Sequence, residues 1–242
     1  MWLVLCDAED KAARWAYEGL RERGLAPLEL VSSRHLVHAP RSAHRLDGSG
    51  ADFGIDLPDG RTLAAGRIDG VLNRLSWAPV GDIVFATRAD TLYAREEVSA
   101  LLLSWLASIA SVMVNRPSTR GLSGAWRSPA EWSVLAARAG LPVATLRLGG
   151  DAVTGTDMYS PTHSVVVLGE QVFGDVGDLA PACVRLARSA RADLLGVDLR
   201  LGDWSPARFT RATVLPDLRI GGSALIEALY GHLIGLPAVR RA

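Results

Sequence analysis

The 242 residues carry 26 basic and 26 acidic side chains and no formal net charge, so no overall field draws the chain to nucleic acid or an anionic membrane. Apolar residues make up 49%, enough for a sizeable core and too many for a chain dominated by disorder. Lys11 is the only lysine, which excludes a lysine base or Schiff base elsewhere, because arginine holds its charge almost permanently.

In chain order, Trp2 to Cys6 is an apolar strand, followed by a helical pattern from Ala8 to Arg23 that Gly24 closes. Leu28 to Val31 is a second strand, and strand–helix–strand predicts a parallel sheet with a crossover helix. Acidic Asp7, Glu9 and Asp10 follow the first apolar run, which therefore does not read as a signal peptide. His35 to Gly50 is polar and reads as irregular. Phe53 to Leu57 and Arg61 to Ala65 form a hairpin around Pro58-Asp-Gly60. Ile68 to Arg74 is a buried strand, and Ala94 to Val112 a long helix with Glu96 and Glu97 in its first turn. The apolar stretch Val98 to Val114 is broken by Ser104, Ser108 and Ser111, which predicts a buried helix rather than a membrane span.

Ser111 to Asn115 leads into Pro117 and a loop to Arg127. Ser128-Pro-Ala-Glu131 has capping-box spacing and opens a helix that stops at Gly140. Pro142 to Arg147 is a strand, and Gly149 to Thr162 a turn-rich connector and subdomain boundary. A hairpin at Ser164 to Phe173, a helix from Leu179 to Ala190, strands Asp193 to Leu199 and Phe209 to Val214, and a helix from Ser223 to Ile234 complete the chain. The two cysteines, Cys6 and Cys183, form no zinc motif or disulfide framework, and the expected setting is cytoplasmic.

The polar residues at predicted strand tips are the candidate ligand-binding set: Asn73, Arg74 and Ser76 on one tip, Asn115 and Arg116 on another. Open α/β sheets bind ligands at such ends. Arg74 either clamps a carboxylate or phosphate or pairs with Glu96 or Glu97 to anchor the helix. His35, His38 and His44 lie close in sequence, but Pro40 and the irregular context favour a solvated loop over a zinc site. No Gly-x-Ser-x-Gly elbow, phosphate loop or dinucleotide fingerprint is present.

Several short motifs share an order. They are Asp69-Gly-Val-Leu-Asn-Arg74, Arg95-Glu-Glu97, Asn115-Arg-Pro117, Gly140-Leu-Pro-Val-Ala-Thr145, Val165-Val-Val-Leu-Gly-Glu-Gln-Val-Phe173, Leu195-Gly-Val-Asp198 and Arg211-Ala-Thr-Val-Leu-Pro216. In this order they resemble the ATP-grasp superfamily, above all its peptide- and ribosomal-protein-modifying ligases. The resemblance implies an α/β protein: an N-terminal parallel-sheet, pre-ATP-grasp-like domain over 1–117, then a truncated ATP-grasp-like α+β domain over 118–242.

The departures from that pattern are equally specific. The family draws phosphate-binding lysines from a β-rich subdomain expected after Thr145, where this chain has a short connector and no lysine. Its metal-binding Glu and Asn align with Thr213 and Leu215, which leaves Asp198 as a weak metal ligand; Asp217 lies too late in the run to replace them. Loss of preorganised charge costs about 2.7–4 kcal/mol per donor by analogy with oxyanion holes. The implied reading is a non-catalytic relative that uses no cofactor and binds a peptide, a small acid or a partner enzyme at the sheet-end cleft. It binds neither nucleic acid nor membrane, and a homodimer or hetero-complex would cover the apolar surface left by a missing lid. Two alternatives stay open. One is a compact ATP-dependent carboxylate–amine ligase using magnesium at Asp198 and arginines such as Arg120, Arg127 and Arg147. The other is an interaction module.

Overall fold

The computed structural model describes residues 1–48, 50–64, 66–143, 162–200 and 207–236. They divide into two compact units, Met1–Ala125 with Ile226–Ala242, and Trp126–Leu225.

The first unit starts with β1 (Trp2–Cys6), α1 (Lys11–Glu22) and β2 (Leu28–Ser32). Asp10 caps α1 by accepting from the Ala13 amide at 2.9 Å, and Gly24 leaves the helix at φ +84°. Next come α2 (Ser33–Val37), β3 (Arg41–Asp47), β4 (Gly50–Asp56), β5 (Thr62–Ala64) and β6 (Gly70–Arg74). α3 (Arg88–Ser108) and β7 (Met113–Val114) follow. β1, β2, β6 and β7 form one parallel sheet in the order β2-β1-β6-β7, which places the tips of β1 and β6 side by side, Cys6 opposite Arg74. Every residue of β6 is buried, as a central parallel strand requires. β3, β4 and β5 form a separate antiparallel sheet. Leu3, Leu5, Val71, Leu75, Trp105 and Met113 belong to this unit's core, where Phe53 and Trp105 meet edge to face at 5.7 Å.

Two expectations change here. The stretch from His35 to Gly50 is largely regular: it contains the end of α2 and all of β3, an edge strand whose residues are almost all exposed and so show no hydrophobic alternation. The long helix begins at Arg88, because Thr87 caps it by accepting from the Asp90 amide at 3.1 Å. Glu96 and Glu97 therefore stand mid-helix, away from the N-terminal dipole.

The second unit contains α4 (Pro129–Arg138), β8 (Thr162–Leu168), β9 (Gln171–Phe173), α5 (Ala180–Ala190), β10 (Leu194–Arg200) and β11 (Arg208–Thr213). The capping box at Ser128 and Glu131 is formed as expected. The strands make an antiparallel sheet in the order β11-β10-β8-β9, with Val165, Val167, Leu195 and Val197 packed on Trp132, Ala136, Cys183 and Leu186 of the helices. A final helix, α6 (Gly222–Ile234), closes the chain. Most of the predicted strand at Pro142 to Arg147, and all but the last residue of the connector to Thr162, lie outside the described residues, although Val143 bridges to Phe209. Among the described residues, no helix is long and apolar enough to cross a membrane.

Candidate functional site

The parallel sheet brings the predicted tip residues together in the first unit. Asn73 and Arg74 end β6, Ser76 follows it, and Asn115 and Arg116 follow β7. Their partners differ from those the sequence suggests. Arg74 is 3% exposed and grips Asp10 with two nitrogens, Nε to Oδ2 at 2.8 Å and Nη2 to Oδ1 at 3.3 Å. Its partner is thus the α1 cap, not Glu96 or Glu97. Arg74 Nη1 is buried and has no hydrogen-bond partner among the described residues. Ser76 donates its hydroxyl to Asp7, just beyond β1.

Asn73 is fully buried, donating to the Asn115 carbonyl at 3.0 Å and the Leu122 carbonyl at 2.7 Å. Its own oxygen accepts from the Leu75 amide at 3.3 Å. Asn73 therefore fastens the β6 tip to the loop after β7. Asn115 is 1% exposed and sits at φ +59°, a left-handed conformation that asparagine tolerates better than most residues. Ser76 is half-buried and Arg116 exposed, so these two reach solvent from the predicted set.

Asp7 and Asp10 join the candidate site through Ser76 and Arg74, and the sequence reading did not include them. Their signal was present: two carboxylates directly after an apolar strand, one of them three residues before a helical Ala13. They also act on their neighbour Cys6. Burial first, then Asp10 and Asp7, push the Cys6 thiol up to about 11, which makes it a poor nucleophile at neutral pH.

In the second unit Asp198 lies on β10, 7% exposed. Its Oδ1 accepts from the Ser164 hydroxyl at 2.6 Å and its Oδ2 from Arg211 Nε. Arg211 stands directly opposite Asp198, and the register shift that follows skips Thr210, whose hydroxyl donates to the Asp198 carbonyl at 2.9 Å. Thr213 accepts from the Leu215 amide at 3.1 Å, and Asp217 pairs with Arg219 at 2.6 Å. Both Asp198 oxygens are thus engaged, one by a cation. Among the described residues no group of three His, Cys, Asp or Glu side chains could hold a metal ion, at this strand or at His35, His38 and His44. The donor set described at Asp198, one carboxylate facing a guanidinium, does not by itself fit magnesium.

Of the arginines considered for nucleotide, Arg127 donates to the Ala190 carbonyl at 2.9 Å and stacks over Trp132 at 5.1 Å. Arg120 is exposed, and Arg147 lies outside the described residues.

No family model matches this chain, and no curated protein matches it. Solved structures do. The ATP-grasp ligase PsnB complexed with minimal precursor, Mg and ADP superposes with a TM-score of 0.68 at 17% identity, over 96% of this chain and 98% of that one. A RiPP-associated ATP-grasp ligase from Chryseobacterium gregarium, in complex with ADP and a leader and core peptide, gives 0.68 at 12% identity over 100% and 99%. The macrocyclase MdnC from Microcystis aeruginosa, bound with precursor peptide MdnA, gives 0.66 at 11% identity over 95% and 99%. The expectation of no cofactor is corrected by these neighbours, since PsnB was solved with Mg and ADP. The parallel sheet, the antiparallel sheets and the near end-to-end superposition agree with one another: this chain has the ATP-grasp fold.

Proposed function

We propose that this protein binds a peptide and, with ATP and magnesium as its cofactors, joins a carboxylate to an amine on that peptide. The observation that carries this reading is the superposition across nearly the full length of ligases solved with precursor peptides and ADP. The proposed ligand-binding site is the sheet end, where Ser76 and Arg116 reach solvent and the buried Asn73, Arg74 and Asn115 support them; Asp198 is the proposed, weak, metal-side carboxylate of the second unit. A cytoplasmic setting is part of the proposal and is supported by two free, buried thiols, Cys6 and Cys183. The two domains proposed are 1–117 and 118–242.

A second reading, a silent relative that binds peptide without ligating it, is favoured by one observation: the Arg211 guanidinium on Asp198, with Thr213 and Leu215 nearby on the chain. Two measurements decide. Calorimetry with magnesium-ATP is expected to show saturable binding that Asp198→Asn weakens; absence of heat overturns the ATP-dependent reading. ADP formation stimulated by peptides with free carboxylates and amines is expected of a ligase. Binding of ATP and peptide without any ADP formation would establish the silent reading instead.

A further inference from the structure

In the first unit β3 is an edge strand. Among the described residues it pairs with β4 alone, through seven consecutive residues with an unbroken register. That register sorts its side chains. Ser42 and His44 stand opposite Ile55 and Phe53, which are buried, so they face the core side. Arg41 and Arg45 stand opposite Asp56 and Asp52 on the outer face. Unpaired edge strands invite another strand, and proteins commonly blunt them with bulges or proline. β3 itself contains neither; Pro40 stands just before it, and the charges it carries, another common device, are Arg41, Arg45 and Asp47.

A cavity of about 190 Å³ lies on the inner face, walled by Leu36 of α2, Ser42 and His44 of β3, Ile55 of β4, and Leu101 and Trp105 of α3. Its walls are mainly apolar, yet two nitrogens among its lining residues are shut from solvent with no hydrogen-bond partner among the described residues, Trp105 Nε1 and His44 Nε2. Trp105 is only 1% exposed. A buried donor left unmade costs about 1–3 kcal/mol, so such atoms mark where an acceptor is expected. Leu101, 37% exposed, stands at the rim.

We propose that this groove takes an extended peptide as an added strand on β3, its side chains alternating between acidic and apolar, the apolar ones entering the cavity. The free edge of β3 supplies main-chain hydrogen bonds, and the cavity supplies selectivity for alternate side chains. Residues of the added strand opposite Ser42 and His44 share the inner face. Those opposite Arg41 and Arg45 share the outer face, where carboxylates complement the guanidinium groups. Arg45 is 80% exposed and bonds only Asp47, at 3.2 Å, and Arg41 has no ion pair among the described residues. A tyrosine at an inner position also brings an oxygen that can accept from the Trp105 indole. The inference rests on the peptide-binding part of the proposed function and is independent of its ligase part.

The test uses the full chain and a fluorescent probe, acetyl-Glu-Val-Glu-Tyr-Glu-Val-amide, read by anisotropy. Saturable binding is expected. Replacing the three glutamates by lysine is expected to weaken it about fivefold or more. N-methylation of every second residue, made in both registers, is expected to abolish it in one register, which separates strand addition from apolar adsorption. Leu101→Glu is expected to abolish binding while circular dichroism and melting stay near wild type; Arg41→Glu, on the exposed outer face, is a second variant that weakens binding without touching the core. No saturable binding, or binding indifferent to both N-methylated peptides, overturns the proposal. So does a dimer that Leu101→Glu splits into monomers, because β3 then serves a second copy of the chain. Magnesium-ATP calorimetry on the same samples keeps the two readings apart: lost nucleotide binding with intact probe binding counts against the ligase alone, and the reverse counts against the groove alone.

Discussion

Arg74 and Asp10 hold each other out of water, with side chains 3% and 15% exposed. Removing one member of such a pair leaves the other charge stranded, which typically costs about 3–5 kcal/mol, whereas an exposed pair is worth about 0–1 kcal/mol. Arg74→Met is therefore expected to lower the unfolding free energy by about 3 kcal/mol in urea titrations. A loss below about 1 kcal/mol would mean that water or a ligand already shields Asp10. The cysteines give a pH prediction. Burial raises both Cys6 and Cys183 to about 11, from a usual value of 9.0. A raised folded value favours the neutral thiol, so its contribution is intact below pH 9 and is lost as pH rises toward 11. Unfolding at pH 8, 9.5 and 11 should show falling stability over the last interval, and Cys6→Ala with Cys183→Ala should flatten that part of the profile. Candidate residues were legible at this scale because strand tips can be found from one strand alone. Their partners were not, because Arg74 and Asp10 are separated by 64 positions and meet only through the β1–β6 pairing.

Helix starts follow the same logic of local against tertiary signals. Ser128 and Glu131 satisfy each other within one turn, so their helix was readable residue by residue. α3 was not, because Glu96 and Glu97 imitate a first turn while the cap is Thr87, two turns upstream. Thr87→Ala removes the acceptor for the Asp90 amide, 3.1 Å away, and is expected to cost about 1 kcal/mol. Helicity and urea midpoint measure it; an unchanged midpoint would place the working start of the helix further along. β3 escaped notice for a different reason. A strand whose residues are nearly all exposed, with a serine and a histidine on its inner face, has no hydrophobic period, and only its pairing with β4 identifies it. In β10 a glycine is demanded by packing: a Cβ on Gly196 would stand 2.8 Å from Pro216 Cβ and 3.1 Å from Thr213 Cγ2. Gly196→Ala is expected to destabilise by about 1–3 kcal/mol through overpacking, beside the strand position that presents Asp198.

Across the whole molecule, the ATP-grasp fold was readable because it is encoded in the order of pieces, each tied to its own turn or cap. The residues of the proposed nucleotide site were not readable in the same way. Such a site draws on separated strands, and the segments 144–161 and 201–206 lie outside the described residues. On β10 both Asp198 oxygens are already engaged, by Ser164 and Arg211, so a cation arriving at Oδ2 competes with a guanidinium. This makes the order of binding measurable. A ligand that binds only the folded state at a hundred times its Kd stabilises by about 2.7 kcal/mol, and each kcal/mol raises Tm by about 2–4 °C in a chain of this size. Magnesium-ADP is thus expected to raise Tm by about 5–10 °C. ADP with EDTA should give a smaller shift, and Arg211→Ala, which frees one Asp198 oxygen, should widen the difference between the two. Equal shifts with and without magnesium would mean that the nucleotide binds without the metal, and no shift with either would sink the nucleotide-dependent function proposed for this fold.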